Sequence, residues 1–173
     1  MEMQTPNVGS TGHVAHDILE SASEITRCAW PNRFCTPAEA LEVPNRQILF
    51  GELGNASESE LIVSMPHGRT RASQVTFYRL ESPMSNEEAE WFLQTKHKVA
   101  ADPFSTASIF RSDPRLMLLV GVQWRDYLGR WCDMAYDRWS VRGQIVTVMR
   151  RNHTWPAGWR IPGMDPESVH FRF

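Results

Sequence analysis

LMLLVGVQWRDYLGRWCDMAYDRWSVRGQIVTVMRR, residues 116–151, decides how this chain is read. Two glycine-bearing breaks, Leu128-Gly129 and Arg142-Gly143, separate three runs rich in Val, Trp, Tyr and Ile. Runs of that composition between glycine turns read as strands. Residues 116–125, 130–141 and 144–151 are therefore predicted as a three-stranded meander. Two-residue loops at the breaks set its register. Trp124 then faces Asp133, Val122 faces Ala135 and Val120 faces Asp137. On the other side Ala135 faces Arg150 and Asp137 faces Val148.

One face of the meander thus holds Leu118, Val120, Val122, Trp124, Ala135, Trp139, Val146 and Val148. The same face takes Asp133, Asp137 and, near the rim, Arg150. A carboxylate among such neighbours is costly unless it is paired or lines a wet pocket. Asp133 and Asp137 lie four residues apart on one strand, roughly 13 Å, too far to share a proton. They are expected at two levels of one pocket, where a desolvated Asp has a raised pKa and serves as a general acid or base. The structural alternative is an ion pair of Asp133 with Arg150 or another arginine, and a backbone hydrogen bond for Asp137.

Outward from the meander, residues 1–12 read as a flexible lead and 13–173 as one domain. Val14, Ile18, Ala22, Ile25 and Ala29 recur at helical spacing, which predicts a helix from about His13 to Ala29. Thr36-Pro37-Ala38-Glu39 and Ser85-Asn86-Glu87-Glu88 are capping boxes, the second opening a helix to about Val99. Strands are expected at about 47–53, 60–65 and 73–80, with a short one near 107–111. The segment 152–173 reads as a loop-rich wrap. The fold class is α+β, with a curved, mostly antiparallel sheet of about six strands packed on one or two long helices.

The net charge of −2 gives no global electrostatic case for nucleic acid, and no apolar run is long enough to span a bilayer. Three cysteines without paired spacing point to reduced thiols and a cytoplasmic location. No cofactor fingerprint is present: there is no Walker loop, dinucleotide motif or nucleophile elbow. His13, His16 and Asp17 lack a second ligand cluster, so no metal is expected. The Pro66-His67-Gly68-Arg69-Thr70-Arg71 turn can hold an anion if it folds over the meander. Arg150, Arg151, His153, Trp155, Trp159 and Arg160 interleave cations with aromatics, a set that can stack bases or pack the tail on the sheet.

Val120-Gly121-Val122, Gly129-Arg130 and the run from Tyr136 to Val146 resemble the C-terminal strands of SnoaL-like, NTF2-like cone domains. That resemblance implies a curved sheet enclosing an apolar pocket, in a family of isomerases, dehydratases, epoxide hydrolases and non-catalytic binders. The first half of the chain departs from the family, with three strands ahead of the second long helix. Arg150 also stands where an epoxide-hydrolase arrangement would want a carboxylate. The reading is a small-molecule-binding domain with acid–base chemistry, of isomerase, dehydratase or cyclase type, on a small apolar molecule. Asp137 and Asp133 are its catalytic candidates, and Trp124, Trp139, Arg150 and His67 its substrate-binding candidates. A homo-oligomer is compatible with the sequence. The rival is a non-enzymatic protein-binding module, phage- or host-related, with Arg125, Tyr127, Trp155 and Trp159 as exposed anchors. A cavity on the apolar face of the meander favours the first reading, and a solid core the second.

Overall fold

The computed structural model describes residues 21–30, 36–51, 56–68 and 72–170. In chain order its strands are β1 (Glu24–Ala29), β2 (Arg46–Phe50), β3 (His67–Gly68), β4 (Ser73–Arg79), β5 (Met84–Ser85), β6 (Val99–Ala100), β7 (Val120–Arg125), β8 (Trp131–Ser140), β9 (Gly143–Arg150), β10 (Thr154–Trp155), β11 (Arg160–Met164) and β12 (Val169–His170). The helices are α1 (Pro37–Leu41), α2 (Glu58–Ser64), α3 (Asn86–Thr95) and α4 (Pro103–Ser112). Eight strands form one sheet in the order β1-β4-β11-β7-β8-β9-β2, with β6 also on β11. The pairings β11–β7 and β2–β9 are parallel, so the sheet is mixed. Pairs β10–β5 and β12–β3 stand apart from it.

This arrangement overturns the expectation of about six strands packed on one or two long helices. The α+β mixture holds in the broad sense, but no described helix exceeds ten residues. Residues 24–29 form an edge strand, not the end of a helix. The buried positions Ile25 and Ala29 are four apart, a spacing that fits a strand face as well as a helix stripe. The start of the expected helix, with the 1–12 lead and His13, His16 and Asp17, lies outside the described residues. The expected strand at 60–65 is α2, which buries Leu61 and Met65 and leaves Val63 80% exposed. Ser57 caps it, accepting from Glu60 N while the Glu60 side chain returns to Ser57 N.

The capping boxes at Thr36 and Ser85 form as read, although α3 ends at Thr95. The expected strand near 107–111 belongs to α4, capped by Asp102 and opened by Pro103. The segment after 152 is more than a wrap, because β11 is a fully buried interior strand. Pro162 is tolerated there by position. Its carbonyl accepts from Ala101 N, so its nitrogen faces the same edge, where β11 passes from β7 to β6 and a missing donor leaves no gap in a ladder.

The meander is present, but its register differs from that expected, by one residue in the first hairpin and by two to three in the second, where Ala135 meets Thr147 and not Arg150. Val120 pairs with Tyr136, Val122 with Met134 and Trp124 with Cys132. The β7–β8 loop holds three residues, since Asp126 N donates to Arg130 O across Tyr127, Leu128 and Gly129. Gly129 sits at φ +75, the left-handed residue such a loop requires. The Asp126 side chain fixes this loop by accepting from the backbone N–H of Leu128 and Arg130, both at 2.9 Å. In the second hairpin Ser140 pairs with Gly143, and a bulge interrupts the ladder between Tyr136 and Trp139. Because strand side chains alternate, a one-residue slip moves Asp133 and Asp137 to the face opposite Val120, Val122 and Trp124.

The core face carries Val75, Phe77, Val120, Val122, Trp124, Met134, Tyr136, Val146 and Val148 under α1, α2 and α4. The other face is covered by α3 and Trp155, with Tyr78, Leu80, Ala135 and Ile161 beneath them.

Asp126 is fully buried at its carboxylate, which also meets Arg130 Nε at 2.9 Å and the buried Arg150 Nε at 3.0 Å. Burial opposes its charge, but the N–H groups of Arg130 and Leu128 and the Arg130 guanidinium outweigh it and hold the carboxyl below the usual range. Asp126→Ala strands Arg150 and frees the loop, and should cost about 3 kcal/mol in urea unfolding at pH 7. A folded pKa below the unfolded one contributes stability above the unfolded pKa of about 3.9, lost as pH falls through the folded value. The margin over Asp126→Asn should therefore shrink in melts run below pH 4.

Candidate functional site

Gly121 is the point from which the second face is built. A Cβ there would lie 2.3 Å from the Trp155 ring, so only glycine lets the indole lie against the sheet. Trp155 Nε1 donates to Gln123 Oε1 at 2.8 Å, and Asn86 Nδ2 donates to the same oxygen at 3.2 Å. Gln123 Nε2 returns to Asn86 O at 2.7 Å, and Asn86 Oδ1 accepts from His153 N. Asn86 and Gln123 are buried, and the pairing of each polar group is what makes that burial tolerable.

With Trp155 fixed, the chain from His153 to Trp159 becomes one wall of a groove over β8 and β9. His153 packs edge-on to Trp155 at 4.4 Å, and Trp159 tilts against it at 5.5 Å. The groove has a volume of about 420 Å³. Ala135, Thr147 and Met149 supply its sheet side, His153, Pro156 and Trp159 the crossing wall, and Asp137, Arg138 and Arg151 its charged groups. Asp137 Oδ1 accepts from Arg138 N at 2.7 Å, and the carboxylate is half-buried. Asp133 lies beneath, fully buried, bridged by Arg151 through Nε at 2.7 Å and Nη2 at 3.2 Å. Burial pushes the Asp133 carboxyl up against the opposing pull of Arg151. Burial first, and Arg151 second, push the His153 imidazole below its ordinary range.

Of the residues singled out in the sequence, the groove holds Asp137, with Asp133 behind it. Trp124 lies on the core face, its Nε1 donating to Ser64 Oγ at 3.0 Å. Arg150 is on that face too, paired with Asp126. Trp139 reaches the same side beyond the bulge, beneath Arg46. His67 stacks on Phe104 at 4.6 Å, and Arg69–Arg71 of its turn lie outside the described residues. The four-residue pocket of Trp124, Trp139, Asp133 and Asp137 is thus divided by the sheet, as the three-residue loop and the bulge require. The apolar side of the meander is filled by α4, with Phe110 on Tyr136 at 4.5 Å.

The groove also takes His153, Arg138, Met149 and Trp159, none of which the register expected from the sequence places beside Asp137. The interleaved cations and aromatics of 150–160 carried the signal for the groove wall, divided between two faces: Trp155 is buried, and Arg160 is buried with Nη2 donating to Ala22 O at 2.7 Å. Among the described residues no three His, Cys, Asp or Glu side chains converge as metal ligands, and no helix is long and apolar enough to cross a membrane. No family model, curated protein or solved structure matches the chain.

Gly121→Ala should cost about 1–3 kcal/mol in denaturant melts, since the locked indole cannot yield to the new methyl. For His153, a folded pKa below the unfolded value of about 6.5 means that stability declines as pH falls from that value toward the folded one. The imidazole should titrate below pH 6.5 by NMR. Between pH 7.5 and 5.5 the wild type should lose more stability than His153→Gln.

Proposed function

We propose that the protein binds a small molecule in the β8–β9 groove, one with an apolar body and a polar head. The observation that carries this reading is the lining: Met149, Pro156 and Trp159 offer apolar surface beside Asp137, Arg138 and His153. Binding sites commonly combine apolar walls with a few convergent polar groups. If the site is catalytic, the chemistry is proton transfer of isomerase or lyase type. Asp137 is then the acid–base group nearest solvent, and His153, neutral at pH 7, a second acceptor. Asp133 is a positioning residue in this scheme, since it touches the groove only through Arg151.

The rival, a protein-binding surface, draws support from the filled core under the apolar face of the meander and from the β7–β8 loop, where Tyr127 is 81% and Leu128 61% exposed. Trp155 drops out of that reading because it is buried.

A thermal-shift screen of small molecules reads both. Groove ligands should raise the melting temperature of the wild type. Thr147→Trp, which fills the groove, should abolish that shift, and Asp137→Asn should weaken it about tenfold in affinity, the loss of one charge-assisted hydrogen bond. Hits that stabilise Thr147→Trp as well as the wild type would overturn the groove.

A further inference from the structure

Three buried polar atoms without a hydrogen-bond partner gather at one end of the core: Arg46 Nη1, Tyr136 Oη and Trp139 Nε1. They belong to one cluster. The Arg46 guanidinium lies over the Phe110 ring at 4.4 Å and the Trp139 ring at 5.1 Å, and Phe110 packs on Tyr136 at 4.5 Å. Native proteins seldom leave such atoms unpaired, and each one costs free energy until something fills it. The other Arg46 nitrogens are satisfied, Nε by Gln144 Oε1 at 2.8 Å and Nη2 by Leu116 O at 2.8 Å. Aromatic rings cover the guanidinium, so its open direction is in plane, beyond Nη1.

The chemistry of the vacant partners is one-sided. A guanidinium N–H and an indole N–H only donate, and a phenol donates or accepts. Burial pushes the Tyr136 phenol up, so it keeps its proton. No described carboxylate pairs with Arg46, and its two filled positions are neutral amide oxygens. Asp113 acts on the Arg46 charge from beyond ion-pair distance, so this half-buried cation has a free donor, flanked by two further donors, and no described anion in contact with it. A water would satisfy the donors without bringing a counter-charge into contact with the guanidinium.

We infer that this end of the core, where the β8 bulge brings Tyr136 and Trp139 to one side, is a binding site for a small monovalent anion held by Arg46, Tyr136 and Trp139. It lies across the sheet from the groove and does not depend on it. Arg46 and Trp139 are both partly exposed, which gives an ion of halide size an approach from solvent.

Urea unfolding of the full chain in sodium bromide, against sodium gluconate at equal ionic strength, tests it. General salt effects act on wild type and variants alike, so the difference between them is the readout. In the wild type, bromide at ten times its dissociation constant should lower the unfolding constant about tenfold. Tyr136→Phe and Trp139→Phe, each removing one donor, should lose most of that factor, and Arg46→Met all of it. Crystals soaked in sodium bromide should show anomalous density between the three atoms. If Arg46→Met does not fold, the two Phe variants carry the decision. A bromide response equal in wild type and both Phe variants would overturn the site. So would water alone at the three atoms together with no bromide response in the wild type.

Discussion

One buried carboxylate, that of Asp126, takes four donors: the N–H groups of Leu128 and Arg130 and the side chains of Arg130 and Arg150. The first two make the β7–β8 loop three residues long. The last ties that loop to the end of β9. Loop length sets register, and register sets which side chains of β8 meet the core. With a two-residue loop Asp133 and Asp137 would enter the layer that α4 fills, a placement that costs several kcal/mol per unpaired charge. The Asp126 loop sends Cys132, Met134 and Tyr136 inward instead. Asp133 then finds Arg151, and Asp137 the groove.

The legible parts of the fold were those governed by local rules. Thr36 with Glu39, and Ser85 with Glu88, close their capping boxes within four residues. Ser57 and Glu60 follow the same rule and were hidden by an alternation of Leu61, Val63 and Met65 that mimics a strand. Ile25 and Ala29 failed in the other direction, because a spacing of four satisfies both periods. Helix α4 was illegible for a different reason. Ser105, Thr106 and Ser108 look like solvent-facing positions, yet they are buried, with Thr106 Oγ1 donating to Asp102 O and Ser108 Oγ to Ser105 O. Returned to the backbone, the Thr106 and Ser108 hydroxyls tolerate a dry environment. Strand β11 carries Pro162 and Gly163, breakers by any local rule, and only its place between β4 and an edge of short pairings with β7 and β6 makes them acceptable.

The candidate site was legible in its residue types and not in its assembly. Two aspartates in an apolar strand draw attention to β8, where Asp133 is buried against Arg151 and Asp137 accepts from Arg138 N. Which face they meet depends on Tyr127-Leu128-Gly129 being the loop, and the Asp126 side chain that fixes this cannot be weighed without knowing that Arg150 returns to it. The groove wall depends on longer range still. Gly121 must be bare for Trp155 to lie down, and Asn86 and Gln123, far apart in sequence, must pair to hold the indole there.

The β8 bulge connects the two proposed sites. Asp137 and Arg138 together oppose Ile145, so the strand turns by one residue there. In an unbulged strand Tyr136 and Trp139, three residues apart, would lie on opposite faces. The bulge brings both toward Arg46 while Asp137 stays in the groove. Gln144, buried beside it, spans the two sides. Its Oε1 accepts from Arg46 Nε, and its Nε2 donates to Asp137 O at 2.7 Å and to Leu118 O at 2.9 Å. One amide thus joins the cation of the core site to the backbone of the groove carboxylate. The bulge, a register defect by the rules of the ladder, is therefore what lets one buried amide satisfy groups belonging to both faces of the sheet.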